Sequence, residues 1–191
     1  PLMTNWTAPD VAITSAWSYK TVVFQKYVTF VYANVTNQGN IIEFFNVTAY
    51  ASETMFQSIS IRVWPGITGT LTFTFNTTGW PKGNYSIKIA ANIVPDEADI
   101  MDNNASDGWI FVSRLGDVTG GTFNPWDFVP DGIVDGKDVS IVAKCFASFP
   151  GCLPPLIWRS NCDVTGMDPG VPDFKVDGRD LGLESYLWGR P

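Results

Sequence analysis

The sequence of 191 residues contains no histidine. This absence excludes the Ser-His-Asp and Cys-His arrangements of nucleophilic hydrolases, and it removes the usual ligands of catalytic zinc and the commonest general base near neutral pH. Carboxylate pairs can hydrolyse glycosides, but they act as two separated groups in a cleft, whereas the aspartates of this chain are clustered. The sequence therefore predicts that the protein is not an enzyme.

Long apolar runs and an excess of positive charge are also missing. No apolar stretch approaches the length that spans a bilayer, and no initiator Met or leader is present, so we expect a soluble, processed chain without a membrane span. The net charge is −7. Nucleic acid is not an expected partner, because phosphate binding needs a basic surface. Cations are the natural counter-charge of the acidic C-terminal part.

The composition changes near residue 114. Residues 1 to 114 are rich in Thr, Val, Ile, Phe and Asn with alternating polarity, whereas Asp, Gly and Pro dominate the remainder. With 45% apolar residues, a chain of this length has room for two small folded domains. We predict an N-terminal segment at 1–9, a first domain at 10–114 and a second domain at 115–191.

Short strand-like runs recur through the first domain. Turn sequences at 37–40, 65–66 and 81–84 separate some of them, and no helical period lies between them. We predict seven strands, at 10–18, 26–36, 41–51, 57–64, 69–76, 84–93 and 108–113. Short strands in this number predict a mainly β domain, an antiparallel β-sandwich of immunoglobulin type.

Alternation along these strands assigns one face to the core and the other to solvent. The predicted core face comprises Phe45, Val47, Ala49, Ala51, Leu71, Phe73, Phe75, Tyr85, Ile87, Ile89 and Ala91. Six Asn-x-Ser/Thr sequons begin at Asn5, Asn34, Asn46, Asn76, Asn84 and Asn104, and the third, fourth and fifth fall on the solvent face. Although a domain rich in Thr and Asn also forms sequons by chance, this density predicts glycosylation and an exported protein.

The three cysteines, Cys145, Cys152 and Cys162, all lie in the second domain. We predict one disulfide with one thiol left over, and the alternative is three small buried side chains. A zinc site is not expected from three scattered thiols without histidine. The sequence leaves open which two cysteines pair.

A ten-residue sequence occurs twice in the second domain, as VPDGIVDGKD at 129–138 and as VPDFKVDGRD at 171–180. Calcium takes about six to eight oxygen ligands, and an EF-hand loop supplies them from positions 1, 3, 5, 7, 9 and 12, with a backbone carbonyl at position 7. If each final Asp is position 12, positions 5, 7, 9 and 12 are Asp131, Ile133, Asp135 and Asp138 in the first copy and Asp173, Lys175, Asp177 and Asp180 in the second.

Unbroken counting leaves positions 1 and 3 without a complete set of oxygen ligands, but an Asp-Val-Thr-Gly tetrapeptide stands upstream of each copy. If a looped-out insertion separates position 3 from position 5, Asp117 and Thr119 complete the first site, and Asp163 and Thr165 complete the second. The predicted cofactor is therefore calcium, two ions per chain. The alternative, two acidic turns without metal, is disfavoured by repulsion between the carboxylates.

A short apolar-periodic segment follows each loop, at 139–146 and at 181–188, and is long enough for two helical turns. Two loop-helix repeats with Asp at position 12 resemble the dockerin family over residues 116–189. The resemblance implies a small α-helical domain with two calcium loops and a cohesin-like protein as partner. Phe174, which stands where the first copy has Gly132, predicts an altered second loop.

Turn motifs in the first domain, VTNQGN at 35–40, NTTGWPKGNY at 76–85 and MDNN at 101–104, resemble those of the CARDB group of cell-adhesion-related, immunoglobulin-like domains. The resemblance covers residues 9–113. A CARDB-like domain followed by a dockerin-like one resembles the arrangement in surface proteins of archaea and some bacteria. It implies an extracellular or cell-surface location.

No residues remain beside these two domains for a catalytic one. We therefore expect a non-enzymatic, glycosylated structural or adhesive protein that assembles with copies of itself into a surface filament stabilised by calcium. Segment 1–9 is expected to add as a strand to the sheet edge of a neighbour. The alternatives are a docking module that binds a cohesin-like partner in a surface complex, and a carbohydrate-binding protein that uses exposed tryptophans.

Overall fold

The structure, a computed structural model, describes residues 8–153, 156 and 159–188. Within these residues the chain is mainly β, with two α-helices. The strands are β1 (Val11–Ser18), β2 (Val22–Phe24), β3 (Val28–Asn37), β4 (Glu43–Ala51), β5 (Thr54–Val63), β6 (Thr68–Asn76), β7 (Gly83–Ala91) and β8 (Asn104–Ser113); the helices are α1 (Gly136–Lys144) and α2 (Gly178–Leu187). Across the described residues, no helix is long and apolar enough to cross a membrane.

The strands form two sheets, a smaller one in the order β1-β3-β6 and a larger one in the order β2-β8-β7-β4-β5. Strand β1 is antiparallel to β3, and β4 is antiparallel to both β5 and β7. Strand β2 is parallel to β8, with Val22 opposite Phe111 and Phe24 opposite Ser113.

The prediction of seven strands was wrong, because the described residues form eight and β2 was missed. All three residues of β2 are buried, so this strand shows no alternation of polarity. A run of three residues is also too short to carry a periodic signal. Only the parallel pairing with β8, more than eighty residues away in sequence, makes this segment a strand.

The chain forms two compact units. The first comprises Pro1–Ser18, Phe30–Thr74 and Ser86–Gly108, and the second comprises Tyr19–Thr29, Phe75–Tyr85 and Trp109–Pro191. The second unit thus contains two segments from the N-terminal part of the sequence as well as the whole acidic C-terminal part. The boundary predicted near residue 114 from composition stays a prediction.

The predicted strand donation by segment 1–9 lies mostly outside the described residues, which begin at Ala8. The N–H of Ala8 donates to Oδ1 of Asn40 at 2.8 Å, and the carbonyl of Ala8 accepts the N–H of Asn40 at 3.0 Å. The chain therefore enters the first unit beside the turn that follows β3.

The predicted core face is confirmed. Phe45, Val47, Ala49, Ala51, Phe73, Phe75, Ile87, Ile89 and Ala91 are buried, whereas Leu71 and Tyr85 are half-buried. The sequon residues Asn46, Asn76, Asn84 and Asn104 are exposed and Asn34 is half-buried, while Asn5 lies outside the described residues. The alternation thus placed three sequons correctly on the solvent face, and their glycosylation stays a prediction.

The second unit has an apolar core of its own. It consists of Val22, Phe24, Val118, Phe128, Ile141, Val142, Cys145, Cys162, Val164 and Val176. The core joins β2 to α1 and to the valine of each Asp-Val-Thr-Gly element, and the partly buried Leu183 of α2 packs against it. Because these valines are buried at 3% exposure or less, the neighbouring aspartates are drawn into the interior with them.

We expect the substitution Phe73→Ala to lower the free energy of unfolding by about 3–5 kcal/mol, because Phe73 is fully buried and its removal leaves a cavity. Phe44→Ala is the matched control. The side chain of Phe44 is 69% exposed, and its loss should change stability by less than about 1 kcal/mol. Urea denaturation followed by circular dichroism measures both, and similar effects of the two substitutions would contradict the assigned core.

Candidate functional site

Each helix of the second unit begins at the end of a decapeptide. Asp135 is the N-cap of α1, and its Oδ1 accepts the N–H of Lys137 at 2.7 Å while Oδ2 of Asp138 accepts the N–H of Asp135 at 2.9 Å. Asp177 and Asp180 form the same capping box on α2. These caps satisfy N–H groups that have no partner within the helix. Both helices can therefore begin three residues earlier than the predicted segments 139–146 and 181–188, at Gly136 and at Gly178.

The first Asp-Val-Thr-Gly element is hydrogen-bonded to its decapeptide. The carboxylate of Asp117 accepts the N–H groups of Asp131 at 3.0 Å and Gly132 at 2.9 Å. Oδ1 of Asp138 accepts the N–H groups of Val118 at 2.9 Å and Thr119 at 3.0 Å. Two reciprocal carboxylate contacts therefore close the loop between the tetrapeptide and the decapeptide.

The residues between these two elements are looped out, as the interrupted loop predicts. Gly120 and Pro130 form an isolated antiparallel bridge, and the N–H of Gly121 donates to the carbonyl of Val129 at 2.7 Å. A Cβ atom on Gly120 would lie 2.2 Å from Oδ2 of Asp131. The final glycine of the tetrapeptide is thus required by this close approach.

The second loop repeats the contacts of the first. Asp163 accepts the N–H groups of Asp173 at 3.2 Å and Phe174 at 2.9 Å. Oδ1 of Asp180 accepts the N–H groups of Val164 at 2.7 Å and Thr165 at 2.9 Å. The residues that make these hydrogen bonds therefore correspond between the two loops, although the insertion is shorter in the second.

Phe174 adopts the left-handed backbone that glycine provides in the first loop. Its φ is 64°, against 88° for Gly132. A side chain in this region costs roughly 1 kcal/mol or more. The ring of Phe174 packs against Tyr19 with a centroid distance of 4.9 Å, which offsets part of this strain. The predicted alteration of the second loop is thus a strained turn with the same hydrogen bonds.

A basic side chain pairs with the carboxylates at positions 5 and 9 of each loop. Nζ of Lys137 lies 3.3 Å from Asp131 and 3.7 Å from Asp135. In the second loop, Arg179 lies 2.8 Å from Asp173 and 3.1 Å from Asp177. The same pair of acids therefore attracts one positive charge in both repeats.

The remaining predicted ligands lie on the same loops. Thr119 is buried, and Oγ1 of Thr165 accepts the N–H of Gly170 at 3.0 Å. Ile133 and Lys175, predicted to contribute backbone carbonyls, have exposed side chains. As the side chains stand, the described part of the chain contains no group of three or more His, Cys, Asp or Glu residues that could hold a metal ion. Calcium binding thus stays a prediction, and it would require Lys137 and Arg179 to leave their acids.

The carboxylates at positions 1 and 12 are buried, at 2% exposure or less for all four. Burial raises the pKa of Asp117 and of Asp180 to about 6, although backbone N–H groups oppose the shift. Burial also raises the pKa values of Asp163 and Asp138 above their ordinary range. The negative charge of these groups is therefore unfavourable in the interior unless a cation or a proton accompanies it.

Two side chains from outside the loops contact Asp163, and the sequence did not reveal them. The hydroxyl of Tyr19 donates to Oδ2 of Asp163 at 2.5 Å, and the ammonium of Lys20 donates to the Asp163 carbonyl. Lys20 is only 4% exposed, and burial lowers its pKa to about 8. No local pattern marks either residue, because their partner lies more than 140 residues further along the chain.

Glu184 is a further buried acid, and sequence reasoning missed it. It is 0% exposed, and neither of its carboxylate oxygens has a hydrogen-bond partner in the described structure. Burial raises the pKa of Glu184 well above its ordinary value, and the charges of Asp138, Asp117 and Asp180 raise it further. The repeat itself contained a signal, because Glu184 takes the position that the buried Val142 occupies in the first copy.

No protein-family model and no curated protein matches the chain, whereas a number of solved structures are similar to part of it. A CARDB domain from Pyrococcus furiosus, solved in complex with di-metal ions, is similar over 58% of this chain and 99% of that chain, with a TM-score of 0.48 and 22% identity. A domain of a candidate cell surface protein from Methanosarcina acetivorans is similar over 55% of this chain and 92% of that chain, with a TM-score of 0.44 and 16% identity.

A β-glucosidase from Erythrobacter marinus is also similar, over 55% of this chain and 15% of its own, with a TM-score of 0.44 and 11% identity. Likeness at this level assigns neither a family nor a function to the chain.

Without metal ions, the free energy of unfolding should fall as the pH rises from about 4 to about 7. Asp117 and Asp180 have pKa values of about 6 in the folded chain against an ordinary 3.8, so over this interval the folded state binds more protons than the unfolded state. The stability present at low pH is lost as the pH passes the folded-state pKa, on the order of 2 kcal/mol for each carboxylate. Urea denaturation in EDTA measures the change.

Asp180→Asn should remove its share of this pH dependence, because an amide does not titrate. Asp96→Asn changes an exposed acid outside the loops and should leave the profile unchanged. A stability that rises over the same interval in EDTA would contradict the presence of destabilised buried carboxylates.

Proposed function

We propose that the protein is a non-enzymatic, extracellular structural protein whose two C-terminal loops bind two calcium ions in the manner of a dockerin-like domain. The correspondence of the loops carries this proposal. Each loop carries four aspartates and a threonine, carboxylate–N–H bonds join its tetrapeptide to its decapeptide, and glycine lets the two approach each other. Oxygen ligands in this number suit a hard cation such as calcium and no softer metal.

The electrostatics of the loops support a resident cation. The buried pair Asp117 and Asp138, and the corresponding pair Asp163 and Asp180, raise the free energy of the folded chain when they are ionised. Calcium would supply the positive charge that these groups need. The basic side chains of Lys137 and Arg179 already occupy the neighbourhood of the remaining acids, and they are exposed enough to move into solvent.

The proposed ligands of the first ion are the side chains of Asp117, Thr119, Asp131, Asp135 and Asp138 with the carbonyl of Ile133. Those of the second are the side chains of Asp163, Thr165, Asp173, Asp177 and Asp180 with the carbonyl of Lys175. The role of the ions in this proposal is structural, because each would join the tetrapeptide, the decapeptide and the start of a helix. Calcium thereby stabilises the folded second unit by mass action.

We expect two calcium ions to bind per chain and to raise the melting temperature. At a free calcium concentration of about 100 times the dissociation constant, one site stabilises the folded state by about 2.7 kcal/mol. Isothermal titration calorimetry and metal analysis give the stoichiometry, and thermal unfolding with and without EDTA gives the stabilisation.

Asp138→Asn and Asp180→Asn should each remove one ion, whereas Asp96→Asn should retain both. Fewer than one calcium per chain, or the same melting temperature after EDTA, would overturn the metal part of the proposal.

The first unit provides features that favour assembly of copies at the cell surface. Strand β5 is ten residues long and ends the order of the larger sheet, so one of its edges has no partner strand among the described residues. An exposed sheet edge can accept a strand from another chain. This edge is a suitable acceptor for the N-terminal segment of a neighbouring copy.

An aromatic patch lies at the end of the same strand. We define it by Phe44, Arg62 and Trp64; the guanidinium of Arg62 lies 5.3 Å from the ring centre of Phe44 and 4.9 Å from that of Trp64. The side chains of Phe44 and Trp64 are 69% and 55% exposed. Aromatic residues and arginine are enriched at the centres of protein interfaces. The aromatic patch therefore supports self-association, and a CARDB-like adhesive role for the first domain.

A cohesin-like partner is the second candidate, because exposed apolar side chains also follow both helices of the second unit. Phe146 and Phe149 follow α1 at 46% and 49% exposure, and Trp188 follows α2 at 58%. A docking module of this kind would remain monomeric until its partner is added.

We expect the purified protein to form filaments in calcium, and the double substitution Phe44→Ser with Trp64→Ser to abolish them while leaving the melting temperature nearly unchanged. Met101→Ser is the control, because Met101 is 88% exposed outside the aromatic patch. Negative-stain microscopy and sedimentation velocity measure assembly. A wild-type protein that stays a monodisperse monomer in calcium would favour docking over self-assembly.

A further inference from the structure

Two of the three cysteines meet in the core of the second unit. Sγ of Cys145 and Sγ of Cys162 lie 2.8 Å apart, and both residues are 0% exposed. This separation is longer than a disulfide bond of about 2.05 Å and shorter than the usual contact between two non-bonded sulfur atoms. The sequence left the pairing open, whereas the geometry selects one pair of the three.

The fold brings this pair together through the repeat. Cys145 lies seven residues after Asp138, and Cys162 directly precedes Asp163. Leu187 takes the position of Cys145 in the second repeat, and Gly116 takes the position of Cys162 in the first. A Cβ atom on Gly116 would lie 3.0 Å from Cδ1 of Leu187. The end of an exit helix thus contacts the residue before a loop in both cases, and only one of the two contacts consists of thiols.

We infer that Cys145 and Cys162 form a disulfide and that Cys152 is the remaining thiol, an inference that rests on the extracellular location proposed above. The bond would link the C-cap of α1, in the first repeat, to the residue before the first carboxylate of the second loop. In an oxidising compartment, molecular oxygen accepts two electrons and two protons from the two thiols, which yields one disulfide and one hydrogen peroxide. Since both sulfurs are buried, oxidation occurs during folding or in a locally opened state. The inference does not depend on calcium.

The crosslink is tested by mass spectrometry on the full chain, produced by secretion and purified without reductant. The intact unreduced chain should be two hydrogen atoms lighter than the reduced chain. Denaturation and alkylation without reduction should modify Cys152 alone, and one peptide pair should be joined through Cys145 and Cys162. Alkylation of all three cysteines in the unreduced chain, or a crosslink that contains Cys152, would overturn the assignment.

Substitutions separate the disulfide from simple core packing. Cys145→Ala, Cys162→Ala and the double variant should share one lowered melting temperature, because losing either sulfur removes the whole bond. Reductant should lower the melting temperature of the wild type by several degrees and leave these variants unaffected. Cys152→Ala is the matched control and should keep both the wild-type melting temperature and its sensitivity to reductant. Independent, additive losses in the two single variants, without any effect of reductant on the wild type, would indicate ordinary packing of thiols.

Discussion

The second unit depends on burying aspartate carboxylates against backbone N–H groups. Asp117 holds the turn at Asp131 and Gly132, while Asp138 holds the tetrapeptide at Val118 and Thr119. A carboxylate can accept several N–H bonds at once, and each charge-assisted bond is stronger than a neutral one. The loops, with little regular secondary structure, are therefore ordered by side-chain acceptors. The caps of both helices are part of the same network, because Asp138 also accepts the N–H of Asp135.

The same constraint creates an electrostatic problem that the rest of the unit addresses. Ionised acids repel one another in an interior of low polarity, and Glu184 adds another acid whose oxygens have no hydrogen-bond partner in the described chain. Lys20 brings a buried ammonium to the second loop, whereas Lys137 and Arg179 neutralise the outer acids of each loop from the surface. A bound divalent cation in each loop would relieve this repulsion at its source. The hydrogen bonds that order the loops thus bury the carboxylates, and the repulsion between these carboxylates is the reason for the proposed calcium binding.

The first unit contrasts with the second in how it achieves stability. Its strands bury apolar faces, as at Val47, Phe73 and Ile89, and Glu43 is an acid buried at the start of β4. The polar faces carry exposed sequons and leave aromatic side chains such as Phe44 and Trp64 in solvent. The first unit is therefore held together mainly by apolar strand faces, whereas the second also buries a cluster of carboxylates.

The sequence by itself determined the features that depend on short-range periodicity and on the duplication. Alternation located the core face through Phe45 and Ile87, and the paired tetrapeptides predicted that Asp117 would return to a decapeptide twelve residues beyond. Tertiary structure alone decided what depends on residues distant in the chain: the parallel strand Val22–Phe24, the contacts of Tyr19 and Lys20 with Asp163, and the pairing of Cys145 with Cys162. The physical reason is that local patterns record which side of an element is apolar, whereas they carry no information on which distant segment supplies a hydrogen bond, a charge or a sulfur atom to a buried group.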